Sequence, residues 1–345
     1  MLQAMHQELS LQHGYLSQEK VTSIYFGGGT PSILTTQDIE ALLAHIKQVF
    51  GVTQEAEITL EANPDDMCLD KLVELRALGI NRLSIGIQSF QDHLLRFLNR
   101  VHDRKKALAS MELAAKAKFD NLSIDLIYGI PGQTDAMWEH DLNLAMRLYP
   151  PHIAAYCLTI EPNTVFGRWQ QQGKLQPIQE ETAARQFELL VDKLVTNHHY
   201  EHYEVSNFCL PGQYAQHNSN YWKQISYLGI GPGAHSYNGT TRQYNIAHNQ
   251  RYIHSIQQSI IPSTLEVLTR KDHINEYIMT GLRTKWGCDL AWLERHHQYA
   301  LQQDKSVYLA QLLQQGLALL QGNTLRLTTQ GMLLADKIAL DLFVA

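Results

Sequence analysis

The chain has 345 residues, of which 44% are hydrophobic and 18% are charged, and its formal net charge is −6. This length suits one large domain with a smaller one, or two domains of ordinary size. The negative charge and the absence of a basic tail exclude a general nucleic-acid binder, and no apolar run approaches the ~18 residues of a membrane span. We therefore expect a globular protein of the cytoplasm that is not integral to a membrane.

Strand-like and helical stretches alternate along the first part of the chain. Strands are predicted at Val21–Phe26, Ile58–Leu60, Arg82–Ile87, Leu122–Tyr128, Ile153–Ile160 and His202–Val205. Helices are predicted at Thr36–Phe50 and Asp66–Leu78, where apolar residues recur at helical spacing. This alternation indicates a parallel α/β architecture, in which ligands bind at the carboxyl ends of the strands.

Polar or glycine residues follow several of these strands. The first strand ends in Gly27-Gly28-Gly29-Thr30-Pro31, which is either a tight turn or a loop whose amides approach a ligand closely. It is neither a Walker loop nor a Rossmann fingerprint. Asp125 lies inside an apolar run, where a carboxylate is costly without a partner or ligand. The other candidates at strand ends or in the loops between strands are Glu61, Gln88, Arg100 and Thr159.

The second part of the chain no longer shows the alternation of strands and helices. An irregular segment from Leu210 to Tyr237 is expected to cover the sheet or close the site. From about Leu265 the pattern is helical, with a β-hairpin at Gly316–Leu327 and a final stretch at Thr329–Phe343. This predicts a helical or winged-helix-like appendage, and without excess basic residues its expected role is structural cover or docking rather than DNA binding.

The cysteines Cys68, Cys157, Cys209 and Cys288 are tens of residues apart. This spacing matches no metal motif, so we expect reduced and mostly buried thiols.

An ordered series of motifs carries a resemblance to a known family. The series comprises Phe26–Ser32, Leu60–Pro64, Ser84–Phe90, Asn99–His102, Ile124–Thr134 and Leu158–Thr164. It resembles the HemN/HemW group of radical S-adenosylmethionine (SAM) proteins. Two later segments, Gln216–Trp222 with its His-Asn-x-x-Tyr-Trp pattern and the loop Gly229–Tyr237, are similar to the HemW heme chaperones rather than to the related oxygen-independent coproporphyrinogen III dehydrogenase.

The resemblance implies a fold and two sets of site residues. The fold is α/β, an incomplete radical-SAM-type (β/α)6 barrel over residues 1–240 with a C-terminal HemN/HemW-type helical domain over 265–345. SAM contacts are implied at Gly28, Gly29, Thr30, Glu61, Gln88, Arg100 and Asp125. Heme is implied within the loop 210–237.

The heme candidates in that loop are His217, Tyr221, Trp222 and His235. The His217 imidazole can ligate heme iron, while Tyr221 and Trp222 supply flat apolar faces for a porphyrin. The alternative is that His217 hydrogen-bonds a loop and Trp222 simply packs. His235 is the weaker second candidate.

The chain departs from the family in one respect. The family has a Cys-x3-Cys-x2-Cys loop that holds a [4Fe–4S] cluster, and this chain resembles the family from inside the following helix, at Met1–Tyr15. The first strand and the cluster loop are then missing, through a start codon placed too far downstream or through true truncation, and we favour the former. Without those thiolates no radical chemistry is expected of this polypeptide as given.

The function implied is that of a heme chaperone, which binds heme and delivers it to respiratory heme proteins. The alternatives are a coproporphyrinogen III dehydrogenase-like radical SAM enzyme and an inactive remnant. Whether the chain acts as an enzyme, and whether it forms a homodimer, are left open.

Overall fold

The computed structural model describes residues 1–16 and 20–344. The helices are α1 (Leu2–Leu11), α2 (Thr36–Val49), α3 (Leu69–Leu78), α4 (Asp92–Phe97), α5 (Arg104–Lys116), α6 (Asp135–Leu148), α7 (Val165–Gln171), α8 (Glu180–Val191), α9 (Gln216–Trp222), α10 (Asn249–Gln257), α11 (Arg270–Leu282), α12 (Leu290–His297), α13 (Leu301–Asp304), α14 (Ser306–Gln314), α15 (Thr329–Met332) and α16 (Ala335–Leu342). The strands are β1 (Val21–Phe26), β2 (Val52–Ala62), β3 (Arg82–Gln88), β4 (Asn121–Tyr128), β5 (His152–Cys157), β6 (Glu201–Glu204), β7 (Asn207–Cys209), β8 (His235–Tyr237), β9 (Thr241–Asn245), β10 (Ser263–Val267), β11 (Cys288–Asp289), β12 (Ala318–Gln321) and β13 (Thr324–Leu327).

A seven-stranded sheet, in the order β1-β2-β3-β4-β5-β7-β6, is the main sheet of the chain. The pairs β2–β3, β3–β4 and β4–β5 are parallel, whereas β7 is antiparallel to both β5 and β6. The central strands are completely buried at Ile85, Ile124 and Ile153, as expected of parallel strands covered by helices. The predicted α/β class is confirmed, and the sheet ends in an antiparallel hairpin that the sequence pattern did not indicate.

Element boundaries differ from the sequence prediction in places with a physical reason. The strand predicted at Ile58–Leu60 extends over the whole of β2, whose first half carries exposed polar residues that hide the strand pattern. The helix predicted from Asp66 begins only at Leu69, because Pro64–Asp66 forms a 3₁₀ turn first. The strand predicted to end at Ile160 stops at Cys157.

The described residues form two compact units. One contains the described residues of Met1–Ile24, Leu34–Glu57 and Gln216–Ala345, and the other contains Tyr25–Ile33 and Ile58–Ala215. We call them the α9 unit and the strand-end unit. Inside the α9 unit are two three-stranded sheets, β10-β9-β8 and β11-β13-β12. The predicted hairpin is present as β12 and β13, with Gly322 supplying the left-handed φ of +59° that its tight turn requires.

No helix within the described ranges is both long enough and apolar enough to cross a membrane.

Candidate functional site

The glycine loop after β1 is built around the carboxylate of Glu61. Tyr25 Oη donates to Glu61 Oε1 at 2.7 Å, and the Gly28 amide donates to Glu61 Oε2 at 3.2 Å. A Cβ on Gly27 would lie 2.4 Å from Tyr25 Cε1 and 2.8 Å from Glu61 Oε1, so a larger residue there would force one of these side chains to move. Gly28 itself has a φ of +81°. The backbone of this loop therefore lies close against the Glu61 carboxylate, so the loop does more than reverse the chain.

Ser32, at the end of the same loop, forms hydrogen bonds with the connection that follows β2. Its hydroxyl donates to Asp66 Oδ2 at 2.7 Å and accepts from the Asn63 amide at 3.3 Å. Its carbonyl accepts from Lys71 Nζ. Sequence reasoning singled out none of these contacts, although the polar run that contains Asn63 and Asp66 directly follows a candidate strand end.

Asp125 lies on β4 and titrates close to neutrality. Burial raises the pKa of its carboxyl to about 7, the hydrogen bond from Ser84 lowers that pKa, and the charge of Glu61 raises it. The Ser84 hydroxyl donates to Asp125 Oδ1 at 3.0 Å. The charges of Asp125 and Glu61 thus interact. The hydrogen bond from Ser84 offsets only part of the free-energy cost of burying the Asp125 carboxylate, since the pKa remains raised.

Gln88 is the last residue of β3, and Arg100 lies in the later connection between α4 and α5. Gln88 has a φ of +66° at an irregularity in the pairing of β3 with β4, and only 8% of the residue is exposed. A Cβ on Gly86 would come within 2.7 Å of Gln88 Nε2, so the glycine makes room for this side chain. Arg100 Nη1 approaches Asn63 Oδ1 at 3.5 Å. Burial lowers the pKa of Arg100, while the charge of Asp125 acts in the opposite direction.

His102 is a buried residue of this region that the sequence analysis named only as the end of the motif Asn99–His102, without a role. Its Nε2 lies 3.1 Å from the carbonyl of Ile87, and its Nδ1 lies 3.7 Å from Asp65 Oδ2. Asp65 is in turn paired with Lys106 at 2.8 Å. These contacts tie together the connections that follow β2 and β3.

We call Gly28, Glu61, Gln88, Arg100 and Asp125 the strand-end set. Hydrogen bonds and charge interactions connect Gly28 with Glu61, Glu61 with Asp125, and Asp125 with Arg100. Gln88 pairs with Leu126, the neighbour of Asp125. Gly29 is exposed and Thr30 is half-buried. Two carboxyl groups and a guanidinium suit a small ligand that carries both an amine and a carboxylate.

A metal centre does not fit the residues that the structure describes. Among them, no group of three or more His, Cys, Asp or Glu side chains is placed to hold an ion. All four cysteines are free thiols. Cys209 and Cys288 are buried, as predicted, whereas Cys68 and Cys157 are exposed because they lie where an element begins or ends rather than inside one.

The second group of candidates lies on α9, inside the segment that the sequence indicated as irregular. The carboxylate of Glu57 caps the first turn of this helix, where it accepts hydrogen bonds from the amides of Gln216 at 3.1 Å and His217 at 2.9 Å. Glu57 is on β2 and is buried. It caps a helix that has no local capping residue, which explains why sequence patterns did not reveal α9.

His217 has a partner at each ring nitrogen. Nδ1 lies 2.9 Å from Ser23 Oγ, and Nε2 lies 3.1 Å from Tyr221 Oη. Burial lowers the pKa of His217 to about 4, so the ring is neutral at physiological pH. Burial, followed by the neighbouring Tyr227, raises the pKa of Tyr221 to about 12. The ring of Tyr227 contacts Tyr221 edge-on at 4.5 Å between centroids.

Trp222 packs against a cation. The Arg283 guanidinium lies over its ring, with Cζ 5.3 Å from the centroid. Trp222 Nε1 is buried without a hydrogen-bond partner among the described residues. The Trp222 ring thus already has a cation over one of its faces.

His235 is exposed at the start of β8 and stacks on Tyr244 at 5.6 Å between centroids. The loop before it is held by Glu8, a fully buried carboxylate on α1 that sequence reasoning missed. Glu8 accepts from the Gly231 amide at 2.8 Å, from Asn245 Nδ2 at 2.6 Å and from Tyr252 Oη at 2.5 Å. Burial raises the pKa of Glu8, and these hydrogen bonds partly counter that rise.

We call His217, Tyr221 and Trp222 the α9 set. A nitrogen and an oxygen that can both bind iron stand one helical turn apart, beside aromatic rings. Such a set suits a flat, largely apolar ligand with a metal at its centre.

Comparison with known proteins identifies two family models in the chain. The Radical SAM superfamily model matches residues 10–145, and the HemN C-terminal domain model matches residues 268–334. The chain is 35% identical over 340 residues to the heme chaperone HemW of Bacillus subtilis (strain 168), covering 98% of this chain and 89% of that protein. It is 33% identical over 341 residues to heme chaperone HemW of Mycobacterium tuberculosis, covering 98% and 84%.

Among solved structures, coproporphyrinogen III oxidase (HemN) from Escherichia coli, described as a radical SAM enzyme, superposes with a TM-score of 0.84. The match covers 99% of this chain and 82% of that one at 23% identity, so it concerns the fold alone. The expected radical-SAM-type α/β fold with a helical C-terminal region is thereby confirmed.

Proposed function

This chain belongs to the HemW family of the radical SAM superfamily, and from that membership we propose that it is a heme chaperone. Its relatives are named heme chaperones. Under this proposal the chain binds heme and passes it to heme-accepting respiratory proteins in the cytoplasm.

The observation that carries the proposal is the pairing of His217 with Tyr221 on α9. Both side chains can ligate iron, and Glu57 and Ser23 fix the helix and the imidazole in place. Holding a ligand group in one orientation reduces the entropy lost on binding. The aromatic rings of Tyr221 and Trp222 add apolar area against which a porphyrin can lie.

We further propose that the strand-end set, together with Gly29 and Thr30, binds SAM. Bound beside a reduced [4Fe–4S] cluster, SAM supplies radical chemistry. Among the described residues no group of His, Cys, Asp or Glu is placed to hold a metal ion, and the proposal for this set concerns the binding of SAM. Glu61 and Asp125 supply carboxylates for the positive groups of SAM, Arg100 supplies a cation for its carboxylate, and the loop amides supply donors.

The test is a titration of ferric heme into the chain, followed by absorbance. We expect a saturable shift of the Soret band in the wild type and its loss in the double variant H217A/Y221F, with circular dichroism to check folding. An unchanged spectrum in the wild type, or equal binding by the double variant, contradicts the proposed heme site. Calorimetry that detects neither heme nor SAM binding supports an inactive remnant instead.

A further inference from the structure

The backbone at Gln88 adopts a conformation that is rare for a residue with a side chain. Gln88 has a φ of +66°, and the Ser89 amide donates to the carbonyl of Ile87 at 2.8 Å. A hydrogen bond that spans a single residue of positive φ forms a γ-turn of the uncommon, strained kind. Strain of this type persists only where the surrounding structure imposes it, and it is concentrated at functional sites.

The turn places the Gln88 side chain over the face of β3 that carries other candidate residues. Ser84, whose hydroxyl donates to Asp125, and Gly86 lie on the same face of the strand because they are two residues apart. A Cβ on Gly86 would lie 2.7 Å from Gln88 Nε2 and 3.7 Å from Asn63 Oδ1. The strained turn thus brings the Gln88 amide beside the rest of the strand-end set.

A buried carboxylate on α6 holds the chain immediately after the turn. Asp141 is fully buried and accepts from Ser89 Oγ at 2.5 Å and from Gln91 Nε2 at 2.9 Å. It also accepts from the backbone amide of Phe90. The Ser89 hydroxyl accepts in turn from the Gln91 amide at 3.0 Å. The three residues that follow Gln88 are therefore all bonded to one side chain of a helix.

A buried histidine holds the chain immediately before the turn. His102 Nε2 lies 3.1 Å from the carbonyl of Ile87, and since a carbonyl can only accept, Nε2 carries the hydrogen of this bond. The same carbonyl accepts the hydrogen bond of the turn itself. His102 Nδ1 lies 3.7 Å from Asp65 Oδ2, and Asp65 pairs with Lys106. Side chains from outside β3 thus hold the backbone on both sides of Gln88.

We propose that Asp141 and His102 are positioning residues that hold Gln88 in its strained turn, so that its side-chain amide contacts bound SAM. The inference rests on the proposed binding of SAM and names the residues that orient one of its contacts. Neither residue belongs to the strand-end set. Without their hydrogen bonds the turn relaxes toward negative φ, because nothing then offsets the cost of the positive φ, and the Gln88 amide moves away from Gly86.

Two substitutions at position 88 test whether the turn is strained. Q88A and Q88G both remove the side-chain amide, but only alanine retains the Cβ that makes a positive φ costly. Urea denaturation should therefore give a higher midpoint for Q88G than for Q88A, the reverse of the order expected at a position of negative φ. A higher midpoint for Q88A would show that the turn is not strained and would overturn the inference.

Calorimetric titration with SAM tests the positioning role in a double-mutant cycle. Q88A should bind SAM about tenfold more weakly than the wild type, which corresponds to about 1.4 kcal/mol. D141N exchanges an acceptor oxygen for a donor, and H102F fills the space without a donor. Each should weaken SAM binding about three- to tenfold in the wild-type chain but less than about twofold in Q88A, where the amide that they orient is absent.

The urea midpoints and a matched control complete the cycle. D141N and H102F should each lower the midpoint by the same amount in the wild-type and Q88A chains, because their effect on stability does not depend on the amide. The control is E139Q, at an exposed glutamate of α6, which should change neither the midpoint nor SAM binding. Circular dichroism establishes that each variant is folded. S89A, which removes a single donor to Asp141, takes the place of D141N if that variant does not fold.

The outcomes separate this inference from the proposed SAM function. SAM binding that D141N and H102F leave unchanged, or weaken equally in the wild-type and Q88A chains, gives Asp141 and His102 a structural role only and overturns the inference. SAM binding by Q88A equal to that of the wild type overturns it as well, and in each of these cases the SAM proposal stands. A wild-type chain that binds no SAM overturns both.

Discussion

Two glycines of the loop after β1, in the strand-end unit, have very different surroundings. Gly27 is surrounded by Tyr25 and Glu61, whereas a Cβ on Gly29, two positions later, would meet nothing within 4 Å. The two glycines look equivalent in the sequence. Their surroundings give them different roles, since the first permits the contact between loop and carboxylate and the second leaves the backbone open.

This difference predicts unequal effects of alanine. G27A should destabilise the fold by about 1–3 kcal/mol, because the new methyl group forces Tyr25 or Glu61 aside. G29A should change the free energy of unfolding by less than about 0.5 kcal/mol. Urea denaturation of both variants measures this, and equal destabilisation by the two would show that the close approach at Gly27 is not the constraint.

Asp125 predicts a dependence of stability on pH. Its folded-state pKa of about 7 lies above the ordinary value, so the folded chain binds more protons than the unfolded chain between about pH 4 and 7. The Asp125 contribution to the free energy of unfolding is therefore full below that window and falls as the pH rises through it, by up to about 1.4 kcal/mol per pH unit.

The variant D125N removes this titration. Urea denaturation at pH 5 and pH 8 should show a smaller loss of stability with rising pH in D125N than in the wild type. The matched control is Asp70, an exposed aspartate on α3, whose replacement in D70N should leave the wild-type pH dependence in place. An identical pH dependence in D125N and wild type would mean that Asp125 titrates in its ordinary range.

At the scale of elements, α9 depends on a residue far away in the chain. The amide of His217 is capped by Glu57, 160 residues earlier. Because the capping group lies on β2, the orientation of the α9 set depends on the strand as well as on the helix. The same holds for α1, whose Glu8 joins it to the loop before β8 and to α10.

Loss of this cap should weaken both the helix and heme binding. E57A should lower the free energy of unfolding by about 1–2 kcal/mol, as removal of a helix cap usually does, and E57Q, which retains one acceptor oxygen, should lower it less. Heme affinity should fall in the same order. Glu55 is exposed on the same strand, so E55A is the control. Heme binding by E57A equal to that of wild type would show that the cap does not position His217.

For the chain as a whole, sequence patterns were sufficient where the determining interactions are local. The strands up to β5, the glycine loop and the C-terminal hairpin follow from hydrophobic periodicity and turn residues. The helical state of α9, the buried carboxylates Glu8 and Glu57, and the stacking of Arg283 on Trp222 were not predicted. Each depends on a partner distant in the sequence, which no local pattern records.

The site residues divide in the same way. The polar positions after strands could be named because parallel strands bring their carboxyl ends together. Which partners these side chains have could not be named, since the contacts of Ser23 with His217 and with Asn220 join residues almost 200 positions apart.

The central claim, that this chain carries heme for other proteins, is tested most directly by transfer. The heme-loaded chain is mixed with an equimolar apo form of a respiratory heme protein, the two are separated, and the heme on each is measured by absorbance. The account predicts that heme leaves the chain and appears on the acceptor in matching amounts, and that H217A/Y221F cannot be loaded to begin with. Heme that remains on the chain while the acceptor stays empty contradicts it.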